Sequence, residues 1–487
     1  MLTVSAADAL RARFLQSRFG VDAITERLGP EAVAALGRNS TIPARRALAG
    51  ARDPLATLIR LWLLQQPVSQ AAAVAALGEL APLDALLERD GDEVRARVDI
   101  RPYAVEGLLD GWICSDLIPT LDGRNGATRP DFVLGLSPAS TTLAQLTIRR
   151  PVGSALDLGT GCGVQSLHLA ASADRVVATD LNPRAIALAS VTALLNDVSL
   201  DLRLGSLYEP VAEERFDLIV TNPPYVMSPP TGERLVYREG TMTGDGLVRQ
   251  VVTRGAAHLN PGGVLQVLGN WAITEEPWEE RLRGWIDPTG CDALVLERER
   301  LDPAEYVEIW LADAGLAGAP DYAQRYDAWL DYFAELGIVG VGMGWLALYN
   351  SGRERPAVRL ERWPHLVQQP VGPAFGEFPR AAGWADEPSA ALFAGRWRLA
   401  EGIVQETMGV PGAEDPEHIV LRSSRGFGRA HQVDTALGGV LGACDGDIPL
   451  GDLVDAVADL LDADAAALRE QLLTPLRAVI ADGMLIR

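Results

Sequence analysis

Three short stretches of this sequence combine residue types and spacing that could do chemistry on a nucleoside ligand. The first is Leu156-Asp157-Leu158-Gly159-Thr160-Gly161-Cys162-Gly163. Glycine tolerates sharp backbone turns and lets a ligand approach the amides closely. A dinucleotide fingerprint would place its third glycine at position 164, which is Val164 here. The spacing D-x-G-x-G-x-G therefore suits a ligand without a pyrophosphate. Gly159, Thr160, Gly161 and Gly163 would cradle it, and Asp157 would face an ammonium group on it. The second stretch, Val176 to Pro183, contains Asp180, 23 residues after Asp157. A carboxylate ending the second strand can accept both hydrogen bonds of a ribose diol, with Leu181 beside it. The third is Gly205-Ser206-Leu207-Tyr208, a turn whose Ser206 and Leu207 would border a purine ring.

A fourth stretch, Phe216 to Tyr225, ends in Asn222-Pro223-Pro224-Tyr225. An amide or aniline-like nitrogen is a poor nucleophile because its lone pair is delocalised. The Asn222 side-chain oxygen and the Pro223 carbonyl can accept its two N–H bonds and so turn the lone pair toward an electrophilic methyl group. Asn222 would then border cofactor and acceptor alike. Pro223 and Pro224 hold the acceptors rigid, which is preorganisation. Tyr225 can stack on a planar group. No metal ligand is required, and the scattered Cys114, Cys162, Cys291 and Cys444 offer no C-x-x-C pair.

The elements that must position these residues are legible in the apolar pattern. Strands are expected at 155–158, 175–179, 202–204, 218–221, 264–268, 293–297 and 339–349, with helices between them. That alternation implies a parallel sheet covered on both faces, and open sheets bind ligands beyond the carboxyl ends of their strands. Residues 1–105 read as a mainly helical, winged-helix-like domain. It contains an apolar helix around Leu58 to Leu64, a helix from Gln70 to Leu77, another from Pro82 to Arg89, and a turn at Asp90-Gly91-Asp92. Residues 106–365 form the catalytic domain. A proline-rich stretch, 366–395, reads as a linker or strap. Residues 396–487 carry helices around Leu450 to Leu461 and Asp464 to Ala481 followed by Met484-Leu485-Ile486, again winged-helix-like, with an acidic solvent face.

Together, Asp157 to Gly163, Asp180 and Asn222 to Tyr225 resemble the amino-methyltransferases with an N-P-P-Y motif, and most closely the release-factor glutamine methyltransferase family. The likeness continues through Tyr237-Arg238-Glu239, Gly244-Asp245-Gly246-Leu247 and Leu259-Asn260-Pro261-Gly262-Gly263-Val264, covering roughly residues 130–270. It implies a Rossmann-like, seven-stranded class I sheet, S-adenosyl-L-methionine as cofactor, and Asn222 and Pro223 as the groups that hold an acceptor amide. Three features depart from the family: Ser206 stands where an acid is usual, Leu136 to Thr141 replace a Pro-Arg-Pro segment, and Leu268-Gly269-Asn270-Trp271 replace Glu-hydrophobic-Gly.

Charge bears on the acceptor. The 487 residues carry a net charge of −22 and contain no lysine. Residues 1–150 are neutral, so the acidity lies in the remainder, which repels phosphate backbones. A protein acceptor docked by the N-terminal domain is therefore the leading expectation. A base amine of ribosomal RNA or DNA is the alternative, with a small molecule or a purely regulatory cofactor-binding role behind it. The N-terminus has no apolar signal region and the longest apolar run is too short to span a bilayer, so a cytoplasmic protein without membrane contact is expected. His168, flanked by Leu167 and Leu169, reads as packed rather than catalytic. Trp271, Trp278 and Trp285 read as a packed helix face, and Arg425-Gly426-Phe427-Gly428-Arg429 as a flexible turn or an anion-binding loop.

Overall fold

The apolar runs between residues 150 and 362 form one sheet. In the computed structural model, which describes residues 2–123, 128–230, 235–240, 242–410 and 417–487, its strands are β1 (Val152–Leu158), β2 (Ala173–Asp180), β3 (Asp201–Leu204), β4 (Phe216–Thr221), β5 (Leu259–Ile273), β6 (Asp292–Leu301), β7 (Gly340–Tyr349) and β8 (Val358–Arg362). Their order is β8-β6-β7-β5-β4-β1-β2-β3. The pairs β1–β2, β1–β4, β2–β3, β4–β5 and β6–β8 are parallel. The doubly wound α/β sheet is the one expected, but it has eight strands rather than seven. The eighth was hidden because Pro356 and Pro364 flank a five-residue run and read as breakers.

Crossover helices α1 (Val164–Ala170), α2 (Pro183–Leu195) and α3 (Gly246–Gly255) follow β1, β2 and β4. The start of α2 is set locally: the Asn182 side chain accepts the Arg184 N–H and Pro183 sits in the first turn. Both are favoured helix-start signals.

The chain divides into two compact units, residues 1–144, 150–289 and 299–346, and residues 145–149, 290–298 and 347–487. In the first unit the boundary expected at residue 105 does not separate two bodies. Phe14, Phe19, Trp62, Ile100 and Trp112 belong to the same buried cluster as Val164 and Leu167 of α1 and Leu188 and Leu195 of α2. Polar bonds reinforce this core. Trp112 Nε1 donates to the Phe19 carbonyl at 2.7 Å. Asn196, just past α2, accepts the Trp112 N–H at 2.9 Å and donates to its carbonyl at 2.6 Å. Residues 1–95 thus supply part of the core on which α1 and α2 pack. The helix expected from Pro82 to Arg89 is instead a 3-10 turn at Ala81–Leu83 and a strand at Leu87–Asp90. The Asp90-Gly91-Asp92 turn pairs that strand with Glu93–Ala96, and the buried Leu87 and Val94 decide in favour of the hairpin.

In the second unit the stretch read as a linker folds into helices at Gly372–Ala385 and Ser389–Ala394. Pro373 falls in the first turn, where no N–H is needed, and Phe375, Phe378 and Ala381 bury one face. Helices at Leu450–Leu460 and Ala465–Ala481 also form. Four strands between Arg396 and Val433 were not anticipated. Three of them, Ile403–Met408, His418–Ser423 and Ala430–Val433, make an antiparallel sheet.

Candidate active site

Parallel register brings three strand ends together. Leu158 of β1 lies opposite Thr179 of β2 and Thr221 of β4, so the residues leaving these strands share one edge of the sheet, about 4.8 Å apart strand to strand. The Thr221 hydroxyl donates to the Leu158 carbonyl at 2.7 Å and locks β4 to β1 there. A cavity of about 280 Å³ opens at this edge. Asp157, Gly159, Thr160, Gly161, Asp180, Leu181, Ser206, Leu207, Asn222, Pro223 and Pro224 all line it.

Asp180 is fixed before any ligand arrives. One carboxylate oxygen accepts the Gly161 N–H at 2.9 Å and the other the Asn182 N–H at 2.8 Å. Burial raises its pKa above the ordinary value in spite of those bonds. Gly159 and Gly161 take left-handed conformations, φ 80° and 56°, and nothing lies within 4 Å of where a Cβ would project. The cradle is open on the ligand side, as a nucleoside requires.

Asp157 is 1% exposed. Its Oδ2 accepts hydroxyl bonds from Thr160 at 2.7 Å and Ser166 at 2.6 Å. Burial pushes its pKa up to about 6, the Asp180 charge adds to that rise, and the two hydroxyls oppose it. A cationic group bound against Asp157 would favour the ionised form and pull the pKa back down. Binding of an ammonium-bearing ligand should therefore be insensitive to pH well above 6. It should weaken as pH falls through about 6, approaching tenfold per pH unit because one proton must leave on binding. Calorimetric titrations of S-adenosylmethionine across this range test the point, and an affinity that stays flat on acidification removes Asp157 from the ammonium site.

The Asn222 side-chain oxygen is buried and has no hydrogen-bond partner among the described residues. Leaving such an acceptor unmade costs about 1–3 kcal/mol, and groups of this kind mark places where a ligand completes the bonding.

Two expected residues fall elsewhere. Gly163 does not line the cavity. At φ 86°, its Cβ would sit 3.3 Å from Ala189 of α2, so its role is to let the loop ahead of α1 pack against α2. Tyr225 does not line it either. Its ring meets Trp310 edge-on at 6.2 Å and packs against a cluster with Tyr306 and Trp329, which replaces the stacking role expected of it. The chain just past the motif is pinned instead by a bond from the Val226 N–H to the Arg238 carbonyl at 2.8 Å.

Sequence reasoning missed a strap, Phe132–Gly135, together with Gln165, Tyr237 and Glu239, all of which line the cavity. Asp116 holds the strap. Its N–H donates to the Val133 carbonyl at 3.1 Å and its Oδ2 accepts the Val133 N–H at 2.8 Å. The Arg184 guanidinium forks onto the same carboxylate. Asn182 Nδ2 donates to the Asp131 carbonyl at 2.9 Å. Local spacing gives no sign of contacts between residues this far apart in the chain. Of the other residues singled out, His168 is buried with a ring nitrogen 2.9 Å from the Tyr103 hydroxyl. Trp271, Trp278 and Trp285 are buried, but only the last two share a helix, Trp278–Ile286; Trp271 lies in β5 and stacks on Trp278 with ring centroids 5.5 Å apart.

Parts of the chain match known families and proteins. Residues 135–283 match the family described as "Methyltransferase small domain". Residues 16–97 and 377–487 match two families described as "Domain of unknown function", DUF7059 and DUF7782. The chain is similar to the ribosomal RNA small subunit methyltransferase C of Idiomarina loihiensis, 32% identical over 30% of this chain and 39% of that protein. It is similar also to the release factor glutamine methyltransferase of Geobacter sulfurreducens, 36% identical over 30% of this chain and 55% of that protein. The chain thus spans about half or less of the length of these relatives. Among solved structures, the 16S rRNA N2 G1207 methyltransferase of T. thermophilus, in complex with AdoMet and guanosine, aligns with a TM-score of 0.26 and 19% identity over 45% of this chain and 58% of that one. Among the described residues no helix is long and apolar enough to cross a membrane.

Proposed function

We propose that this chain, built around a class I methyltransferase domain, is an S-adenosylmethionine-dependent N-methyltransferase whose acceptor is a planar amide, the side chain of a protein glutamine. The observation that carries this reading is the buried, unpartnered Asn222 oxygen at the C-terminal end of β4, in one cavity with Asp157 and Asp180. When bound, the cofactor supplies an electrophilic methyl group. Asp180 would accept the ribose hydroxyls, Asp157 would pair with the ammonium, and the strap would exclude water from one side. Asn222 Oδ1 and the Pro223 carbonyl would accept the two N–H bonds of the acceptor, orienting its lone pair. This needs no strong base, because the nitrogen can shed its proton after the methyl has arrived.

A neutral amide suits the electrostatics. The described lining carries the carboxylates of Asp157, Asp180 and Glu239 and no arginine, an environment that disfavours a phosphate close to the reacting nitrogen. The N-terminal helices would form the docking surface for the acceptor, and a partner in the translation apparatus would place the enzyme in the cytoplasm. The second reading, an exocyclic amine of a nucleic-acid base, is favoured by the likeness to a ribosomal RNA methyltransferase. Tritiated methyl transfer into a cell extract separates the two. We expect label that protease releases and nuclease does not; label with the opposite behaviour would replace the glutamine reading by the base reading.

A further inference from the structure

The second compact unit contains a cavity of about 600 Å³, within the range of small-molecule sites, that has no part in the chemistry above. The described residues that line it all belong to that unit. Its floor is electrically settled. Arg359 and Arg429 both pair with Glu361 and Asp482, and Arg429 lies over the Trp363 and Phe427 rings at 4.7 and 5.4 Å. Burial would raise the Asp482 pKa, but a bond from His431 and the charges of Arg429 and Arg359 hold it below the usual carboxylate value.

The rim is different. Arg398 is exposed and has no ion pair among the described residues. Among the described residues the Arg425 side chain pairs with Glu401 alone, the two side chains being 66% and 76% exposed; exposed pairs of this kind contribute little. Arg425 belongs to the loop Ser423–Arg429 that borders the cavity, the same loop whose arginine-glycine pattern stands out in the sequence. Gly426 and Gly428 bend it through left-handed conformations, φ 57° and 66°. The backbone N–H groups of Gly426 and Phe427 at its tip have no acceptor among the described residues. The unpaired Arg398, the exposed Arg425–Glu401 pair and the two amide N–H groups border one cavity, whose lining holds four arginines against the carboxylates of Glu377, Glu401 and Asp482. Such a set exceeds what one carboxylate accepts and matches the three oxygens of a phosphate monoester. Next to it, Pro370, Pro373 and Phe378 offer an apolar wall.

We propose that this cavity is a second binding site that takes a phosphate monoester with a compact planar or apolar body the size of a mononucleotide, its phosphate held by Arg398, Arg425 and the loop amides. The phosphate could belong to a free nucleotide or to the phosphorylated end of an oligonucleotide. Titration of the full chain with uridine monophosphate, inorganic phosphate and a short single strand with and without a 5′-phosphate tests this. We expect uridine monophosphate to bind, inorganic phosphate to compete with it, and the strand to bind only when phosphorylated. Tighter binding of that strand than of the mononucleotide assigns the site to nucleic-acid ends, and weaker or equal binding to free nucleotides. The variant Arg398→Ala/Arg425→Ala, which removes only exposed side chains, should weaken binding at least tenfold while leaving the affinity for S-adenosylmethionine unchanged. No binding of either phosphate probe at millimolar concentration, or binding equally tight in a variant that still takes up the cofactor, overturns the proposal.

Discussion

Asn222→Ala should bind S-adenosylmethionine nearly as well as the native protein and lose at least about a hundredfold in turnover, the scale seen when one preorganised polar group at a reacting centre is deleted. The separation follows from which atoms the side chain serves. The ribose and ammonium contacts expected of Asp180 and Asp157 do not involve it, and its oxygen has no partner among the described residues. Its removal therefore leaves the resting fold without a lost bond and even relieves a buried acceptor. What disappears is an interaction made only with the acceptor nitrogen. Single-turnover rates alongside calorimetric cofactor titration read the two effects independently. Native-like turnover in the variant would move the acceptor site elsewhere in the cavity.

Asp180→Ala should have the opposite signature, a loss of cofactor affinity of at least about a hundredfold. Hydrogen bonds to a charged group contribute about 1.5–3 kcal/mol each, and a diol makes two. The carboxylate also anchors the Gly161 and Asn182 amides, so its removal loosens the glycine turn and the start of α2 together. Asp180→Asn separates these roles: it keeps the volume and one acceptor oxygen and should lie between the two. Unchanged affinity in an Asp180→Ala protein that melts as a single folded species would refute the ribose assignment.

The contrast between the residues that line the cavity as expected and those that do not has a physical basis. Asp157, Asp180 and Asn222 sit where an apolar strand stops, and a strand end is a local event that spacing records. Gly163 carries the same local signal, yet its constraint comes from Ala189 across a helix contact, which no spacing within the loop reports. Tyr225 follows two prolines, and its ring meets Trp310 instead of lining the cavity. The strap Phe132–Gly135 was invisible because it has no periodicity of its own and is placed by Asp116 and Asn182. Proline misled twice. Its cluster between 366 and 395 read as a break, although Pro373 stands in a helical first turn, and the pair flanking β8 concealed a strand.

The fork of Arg184 on Asp116 bears on how the protein comes to be active. One wall of the candidate cavity hangs from Asp116, which ends a hairpin of Asp99–Val105 with Leu109–Ser115, through partners 17 and 68 residues apart. These contacts lie outside the ladder of the sheet, so the strands can pair without them. A chain whose sheet has formed but whose hairpin has not docked would hold three strand ends in register and still present an open-sided pocket. Competence to bind the cofactor should therefore appear during refolding as one late kinetic phase, trailing the formation of secondary structure.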